Sequence, residues 1–167
     1  TSIRSVPGLL TSDGVTEKIV LIDEFMREMG CGRPRVGVCA LNPHAGEEGL
    51  FGEEERTIIE PGVAKAGQLG IEVRGPYPAD TLLKRAVGGE FDAVVAMYHD
   101  QGHIALKLIA FESAVNVTLG LPIVRTSPSH GTAFDIAWKG EAQGEGMIQA
   151  IRVASARVLA RQSSLGS

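Results

Sequence analysis

Two apolar runs limit the folds open to this chain more than any other feature. "RVGVCAL" (35–41) and "FDAVVAMY" (91–98) are strand-sized, and neither alternates polar with apolar residues over its length. A strand of this kind is buried on both faces, which is the situation inside a parallel sheet covered by helices. The segments around these runs carry the helical period instead. Apolar strands alternating with helical patterns indicate an α/β domain. The 167 residues suit one domain with a real core.

The coarse order of elements follows from the same reading. Ser12 or Asp13 is placed to cap a helix over 15–29, with Ile19, Ile22, Phe25, Met26 and Met29 on one face and Gly30 and Gly32 ending it. After the strand at 35–41 comes the loop "NPHAGEEGLFG". "EEERTIIEPGVAKAGQLG" begins with acids suited to a helix N-terminus, and Pro61 and Gly62 are expected to kink or split it. "IEVRG" reads as a short strand, "PYPAD" as a turn, and 81–86 as a helix. "HDQG" makes a strand-to-helix turn, so His99 is expected before the helix of 103–111 and His103 on it. "SAVNVTLG" and "LPIVRTS" read as extended. "HGTAFDIAWKG" and "GEGMIQAIRVASARVLARQ" read as closing helices, and the polar tail "RQSSLGS" is expected to fray.

Composition excludes several function classes. A net charge of −4 leaves no basic surplus to neutralise phosphates, which argues against general nucleic-acid binding. No apolar run is long enough for a transmembrane helix, and no signal-peptide pattern is seen. Cys31 and Cys39 fit neither a disulfide framework nor a zinc ribbon, so a reducing cytoplasm is the default expectation. Cys39, inside an apolar run, reads as a small core residue. The chain opens without methionine on "TSIRSVPGLLT", which reads as the middle of something longer.

The polar residues of interest collect where apolar strands end. Ligands of α/β sheets bind outside the carboxyl ends of the strands. His44 follows the first run and His99 the second. Imidazoles suit zinc, cobalt, nickel or manganese, and two of them leave positions open for a substrate oxygen. The competing reading is two unrelated histidines bonded to backbone. Asp100 could ligate or orient a ligand. Lys107 sits at the edge of an apolar helix, as either a solvated lysine or a substrate group. Arg125 follows the apolar "LPIV", where a guanidinium holds a carboxylate or phosphate, or else a structural ion pair. Asn116 is out of place in a strand and needs partners. No G-x-G-x-x-G follows a strand and no Walker motif occurs. Ser127, Ser129, His130 and Asp135 are near in sequence, which is not triad geometry.

Five segments taken together resemble one family. "VCALNPHAGEEGLFGEEE", "GPYPADTL", "AMYHDQGH", "VNVTLGLPIVRTS" and "HGTAFDIAWKG" look like the C-terminal half of the 4-hydroxythreonine-4-phosphate dehydrogenases of pyridoxal phosphate biosynthesis. The resemblance covers nearly the whole chain, with order and spacing kept. It implies the three-layer α/β/α fold of the isocitrate and isopropylmalate dehydrogenases, in a single unit forming half of a two-domain enzyme. It implies a cytoplasmic homodimer with a shared active site, NAD as cofactor, and a divalent metal (zinc, cobalt, magnesium or manganese). Of the family's three histidine ligands, two fall on His44 and His99, and the third would precede Thr1. Substrate residues carry over onto Lys107, Asn116 and Arg125. Lys107 is also a candidate proton donor, and Asp80 and Asp100 are candidate relay groups.

The implied reaction is oxidation and decarboxylation of 4-hydroxythreonine 4-phosphate. One departure bears on the substrate. His103 stands where the biosynthetic enzymes usually carry an apolar residue. A paralogous branch acting on D-threonate or D-erythronate 4-phosphate resembles this "DQGHI" form. A third reading is an inactive fragment that keeps only the dimer interface.

Overall fold

The computed structural model describes residues 1–165, and the chain forms two compact units, Thr1–His103 and Ile104–Ser167. In the first, β1 (Arg35–Cys39) is the centre of an all-parallel sheet ordered β2-β1-β3, flanked by β2 (Glu72–Tyr77) and β3 (Ala93–Val95). Short helix α1 (Val6–Leu9) precedes α2 (Ser12–Glu28). A π-helical turn (Glu55–Ile59) leads into α3 (Glu60–Gln68), and α4 (Ala79–Val87) follows β2.

Alternate residues of β1 feed two cores, which is why its run shows no polar alternation. Val36 and Val38 pack with Val15 and Ile19 of α2, Ile59, and Ala66 of α3. On the opposite face Cys39 packs with Leu82 of α4 and Phe91. Helices therefore cover both faces of this sheet, as an α/β/α sandwich requires. Gly37 lies on the α4 side, where an added Cβ would stand 2.7 Å from Leu82 Cδ1 and 3.2 Å from Phe91. Cys39 is wholly buried, as expected of a core residue, and burial pushes its thiol up to about 11. Arg35 and Asp92 tie the start of β1 to the entry of β3. The guanidinium donates from Nε and Nη2, and the Arg35 amide adds a third bond, each at 2.9 Å. These bonds hold the Asp92 carboxyl down at about 2.

Several expected boundaries move. The helix expected over 15–29 is α2, which begins at Ser12, and its cap is Thr11, whose Oγ1 accepts from Gly14 N at 3.0 Å. Thr11 has the extended backbone a cap needs, whereas Ser12 and Asp13 are already helical. The split near Pro61 falls where expected: the π turn ends at Ile59, and proline sits in the first turn of α3. Pro76 and Tyr77, read as a turn, belong to β2.

Helix α5 (His99–Ala110) starts four residues earlier than expected, so His99 is its first residue rather than a residue before it. Its later residues, from Ile104, belong to the second unit. There β4 (Val115–Thr118) and β5 (Arg125–Pro128) form an antiparallel pair, with α6 (Glu145–Leu165) packed on it. "HGTAFDIAWKG" does not form a helix; only one 3₁₀ turn, Phe134–Ile136, occurs within it. Ala133 at φ 48° and Trp138 at φ 65° are left-handed and bound that turn on both sides. The tail is helical through Leu165, so the expected fraying is not seen there; the last two residues of the tail lie outside the described residues.

Candidate active site

Because β1 and β3 are adjacent and parallel, the loops leaving them emerge at one edge of the sheet. His44 lies on the β1 loop, and His99 stands at the end of the β3 connection. This is the carboxyl edge at which α/β sheets bind ligands.

The β1 loop has an unusual backbone. From His44 to Glu48 every residue has positive φ: 53°, 54°, 80°, 44° and 55°. Only Gly46 takes such a conformation without cost, and each other residue there is strained by about 1–2 kcal/mol. Something must hold the turn. Glu55, 4% exposed, reaches it from the π-helical turn. Its Oε1 accepts from the amides of Leu41 at 2.9 Å and Asn42 at 2.8 Å, and its Oε2 accepts from Asn42 Nδ2 at 3.0 Å. Gly46 passes so close that a Cβ would stand 2.7 Å from Glu55 Oε2. The His44 ring is exposed and lies 6.2 Å from the Phe51 ring.

The β3 connection is held by Gln101. Its Oε1 accepts from Met97 N at 2.8 Å, and its Nε2 donates to Ala40 O at 2.7 Å. One side chain thus joins the end of β3 to the end of β1. His99 Nδ1 lies 2.7 Å from Asp100 Oδ1. With Nδ1 engaged by a carboxylate, Nε2 is the nitrogen available to a metal, and this pairing is a recurrent metal-site arrangement. His99 and Asp100 line a cavity of about 650 Å³ with Val6, Leu10, Met97 and Tyr98. His103 stacks on His99, centroids 3.9 Å apart and planes 9° from parallel, with its Nδ1 3.1 Å from His99 O. The helix therefore brings together the two histidines that the expected turn would have separated.

The donor set suits a divalent transition metal in kind: two exposed imidazoles at one sheet edge, one braced by a carboxylate. Among the described residues no group of three His, Cys, Asp or Glu is gathered within reach of one ion. The remaining candidates are placed separately. Asp80 is exposed in the first turn of α4 and accepts from Thr81 N at 2.8 Å. Lys107 is exposed on α5, and Asn116 is exposed on β4. Arg125 opens β5 rather than closing a buried strand, and its Nη1 donates to Thr118 Oγ1 at 2.8 Å. Leu121 and Ile123 before it are exposed, because a two-stranded pair cannot sandwich them as a wider sheet would.

Sequence reasoning missed Glu55 and Gln101. The acidic triplet read as a helix N-terminus, with nothing to single out its third, buried member. It also missed a cavity of about 710 Å³ in the second unit, which Phe111, Glu112, His130, Thr132, Trp138 and Glu141 help to line. No helix among the described residues is long and apolar enough to cross a membrane.

Comparison with known proteins agrees with this architecture. The family described as "Pyridoxal phosphate biosynthetic protein PdxA" matches residues 1–154. A D-threonate 4-phosphate dehydrogenase of Salmonella typhimurium is 48% identical over 153 residues, covering 92% of this chain and 47% of the relative. A 4-hydroxythreonine-4-phosphate dehydrogenase of Geobacter metallireducens is 49% identical over 166 residues, covering 99% of this chain and 49% of the relative. The crystal structure of a 4-hydroxythreonine-4-phosphate dehydrogenase from Klebsiella pneumoniae superposes with a TM-score of 0.83 at 48% identity, over 94% of this chain and 48% of that one. The chain spans about half the length of the curated relatives it matches.

Proposed function

Since this chain belongs to the PdxA family, whose members are dehydrogenases of the isocitrate dehydrogenase-like α/β fold, we propose that it is the C-terminal half of a two-domain enzyme that oxidises and decarboxylates 4-hydroxythreonine 4-phosphate, with NAD as hydride acceptor and a divalent metal. The observation that carries this is the placement of His44 on the loop after β1 and of His99 at the start of α5, after the neighbouring β3, with His99 braced by Asp100.

His44 and His99 would hold the metal, completed by ligands from outside these residues. A bound divalent ion supplies Lewis acidity to the substrate hydroxyl and to the carbonyl oxygen it becomes. Asp100 engages His99 Nδ1, which would leave Nε2 as the atom to ligate the metal. In the second unit, Lys107, Asn116 and Arg125 are the groups for phosphate, carboxylate or the reacting oxygen. Arg125 suits a bidentate oxyanion, and Lys107 suits either an anion or the proton delivered after carbon dioxide leaves. Asp80 is the more remote relay candidate. The 710 Å³ cavity, in the size range of ligand sites and lined by aromatic and carboxylate groups, is a candidate for part of the dinucleotide. The many exposed apolar side chains of the second unit suit the homodimer.

A second substrate class is favoured by His103. Stacked on His99, it puts an extra polar ring beside the proposed metal ligand. That suits D-threonate or D-erythronate 4-phosphate, which present a hydroxyl where hydroxythreonine phosphate presents an amine. The deciding experiment is an NADH absorbance assay of the full-length gene product with all three phosphates and added divalent metal. Metal-dependent NADH formation with at least one of them is expected. No NADH with any of them would overturn the reading. The 167-residue chain alone, assayed beside it, is expected to be inactive.

A further inference from the structure

Two side chains outside the proposed ligand set hold the His44 loop and the start of α5, and they act on adjoining stretches of backbone. Glu55 takes the amides of Leu41 and Asn42, directly before the left-handed turn that presents His44. Gln101 takes the carbonyl of Ala40, one residue earlier, and the amide of Met97, two residues before His99. The chain from Ala40 to Asn42 is therefore gripped from both directions. Glu55 is buried and its carboxylate oxygens are spent on the loop, so it is not available as a solvent-facing acid. A left-handed turn with four strained non-glycine residues would relax to an ordinary loop if released.

We propose that Glu55 and Gln101 are positioning residues that together fix the spacing between His44 and His99 across the ends of β1 and β3. This rests on the metal reading above. Neither residue touches metal or substrate. Glu55 forces the turn that carries His44, and Gln101 locks the start of α5, with His99 on it, to the end of β1. The design trades buried hydrogen bonds for a ligand pair held before any ion arrives, which preorganises the site.

The test uses the full-length protein and Co²⁺ alone as the probe, read by calorimetric affinity and the visible absorption of bound cobalt. H44A and H99A are expected to lose most of the affinity. E55A and Q101A are expected to weaken it about 10- to 100-fold, the usual effect of removing a residue that orients a ligand. Hydrogen exchange should quicken at the amides of Leu41 and Asn42 in E55A, and at Met97 in Q101A. E55Q keeps an acceptor for both backbone amides and should recover most of the affinity, which a merely destabilised protein would not show. Q101A removes no buried charge and keeps the comparison open should E55A fail to fold. Wild-type affinity in E55A and Q101A, with H44A and H99A weakened, would overturn the positioning role alone. Affinity indifferent to H44A and H99A would overturn the metal reading and the positioning role with it.

Discussion

Asp92 joins two strands through one carboxylate, and its ionisation has a calculable consequence. Its folded-state value of about 2 lies below the ordinary 3.8, so the charged form is favoured by folding. The contribution is complete above about pH 4 and is lost as the pH falls toward 2. A melting-temperature series across that window should drop for the wild type. D92N should start lower at neutral pH and fall less steeply, and parallel curves would contradict the assignment. The same residue shows what sequence can hide. Nothing in the run "FDAVVAMY" marks Asp92 as a partner of Arg35, which lies 57 positions away. Glu55 was similarly hidden, because adjacent glutamates are identical as letters and differ only in which one the π-helical turn aims inward. The positions of His44 and His99 after β1 and β3 are legible because the apolar run before each is recognisable, although His99 begins a helix where a turn is expected.

Among the elements, β1 carries the most constraint. Its centre is a glycine because α4 and Phe91 close on it from one side. Gly37→Ala should therefore cost about 1–3 kcal/mol by overpacking against Leu82. Urea denaturation checks this, and a loss under a few tenths would mean that α4 shifts freely. The central strand, helix α2 and the break near Pro61 are readable from period and proline, whereas the short α1 is not. The stretch 131–140 was not: its apolar letters fit a helical period, but Ala133 and Trp138 adopt left-handed backbone, and no composition signal marks non-glycine residues for that. The start of α5 was misplaced for a related reason. Glycine at 102 reads as a turn residue, yet it sits inside the helix, where an added Cβ would make only ordinary contact with Ala96.

For the whole molecule, the two units differ in how completely they cover themselves. The first buries both faces of its central strand. The second leaves Leu108, Ile109, Phe111, Met147, Ile151 and Leu159 exposed at 52–83%. Apolar exposure on that scale is unusual for an isolated monomer. The 167-residue chain is expected to self-associate, and light scattering at rising concentration measures it. A monomer throughout would remove the support these side chains lend to the proposed homodimer.

The left-handed turn after β1 also reverses a common rule of protein engineering. Replacing glycine by alanine ordinarily stabilises a protein by stiffening its unfolded chain, provided the native backbone suits an L-residue. At Ala45 the native backbone, at φ 54°, suits glycine better. The residue most easily blamed for floppiness would there relieve the folded state, while also loosening the frame around His44. A redesign aimed only at melting temperature would be drawn toward the very substitution that this loop, if it carries a metal ligand, can least accept.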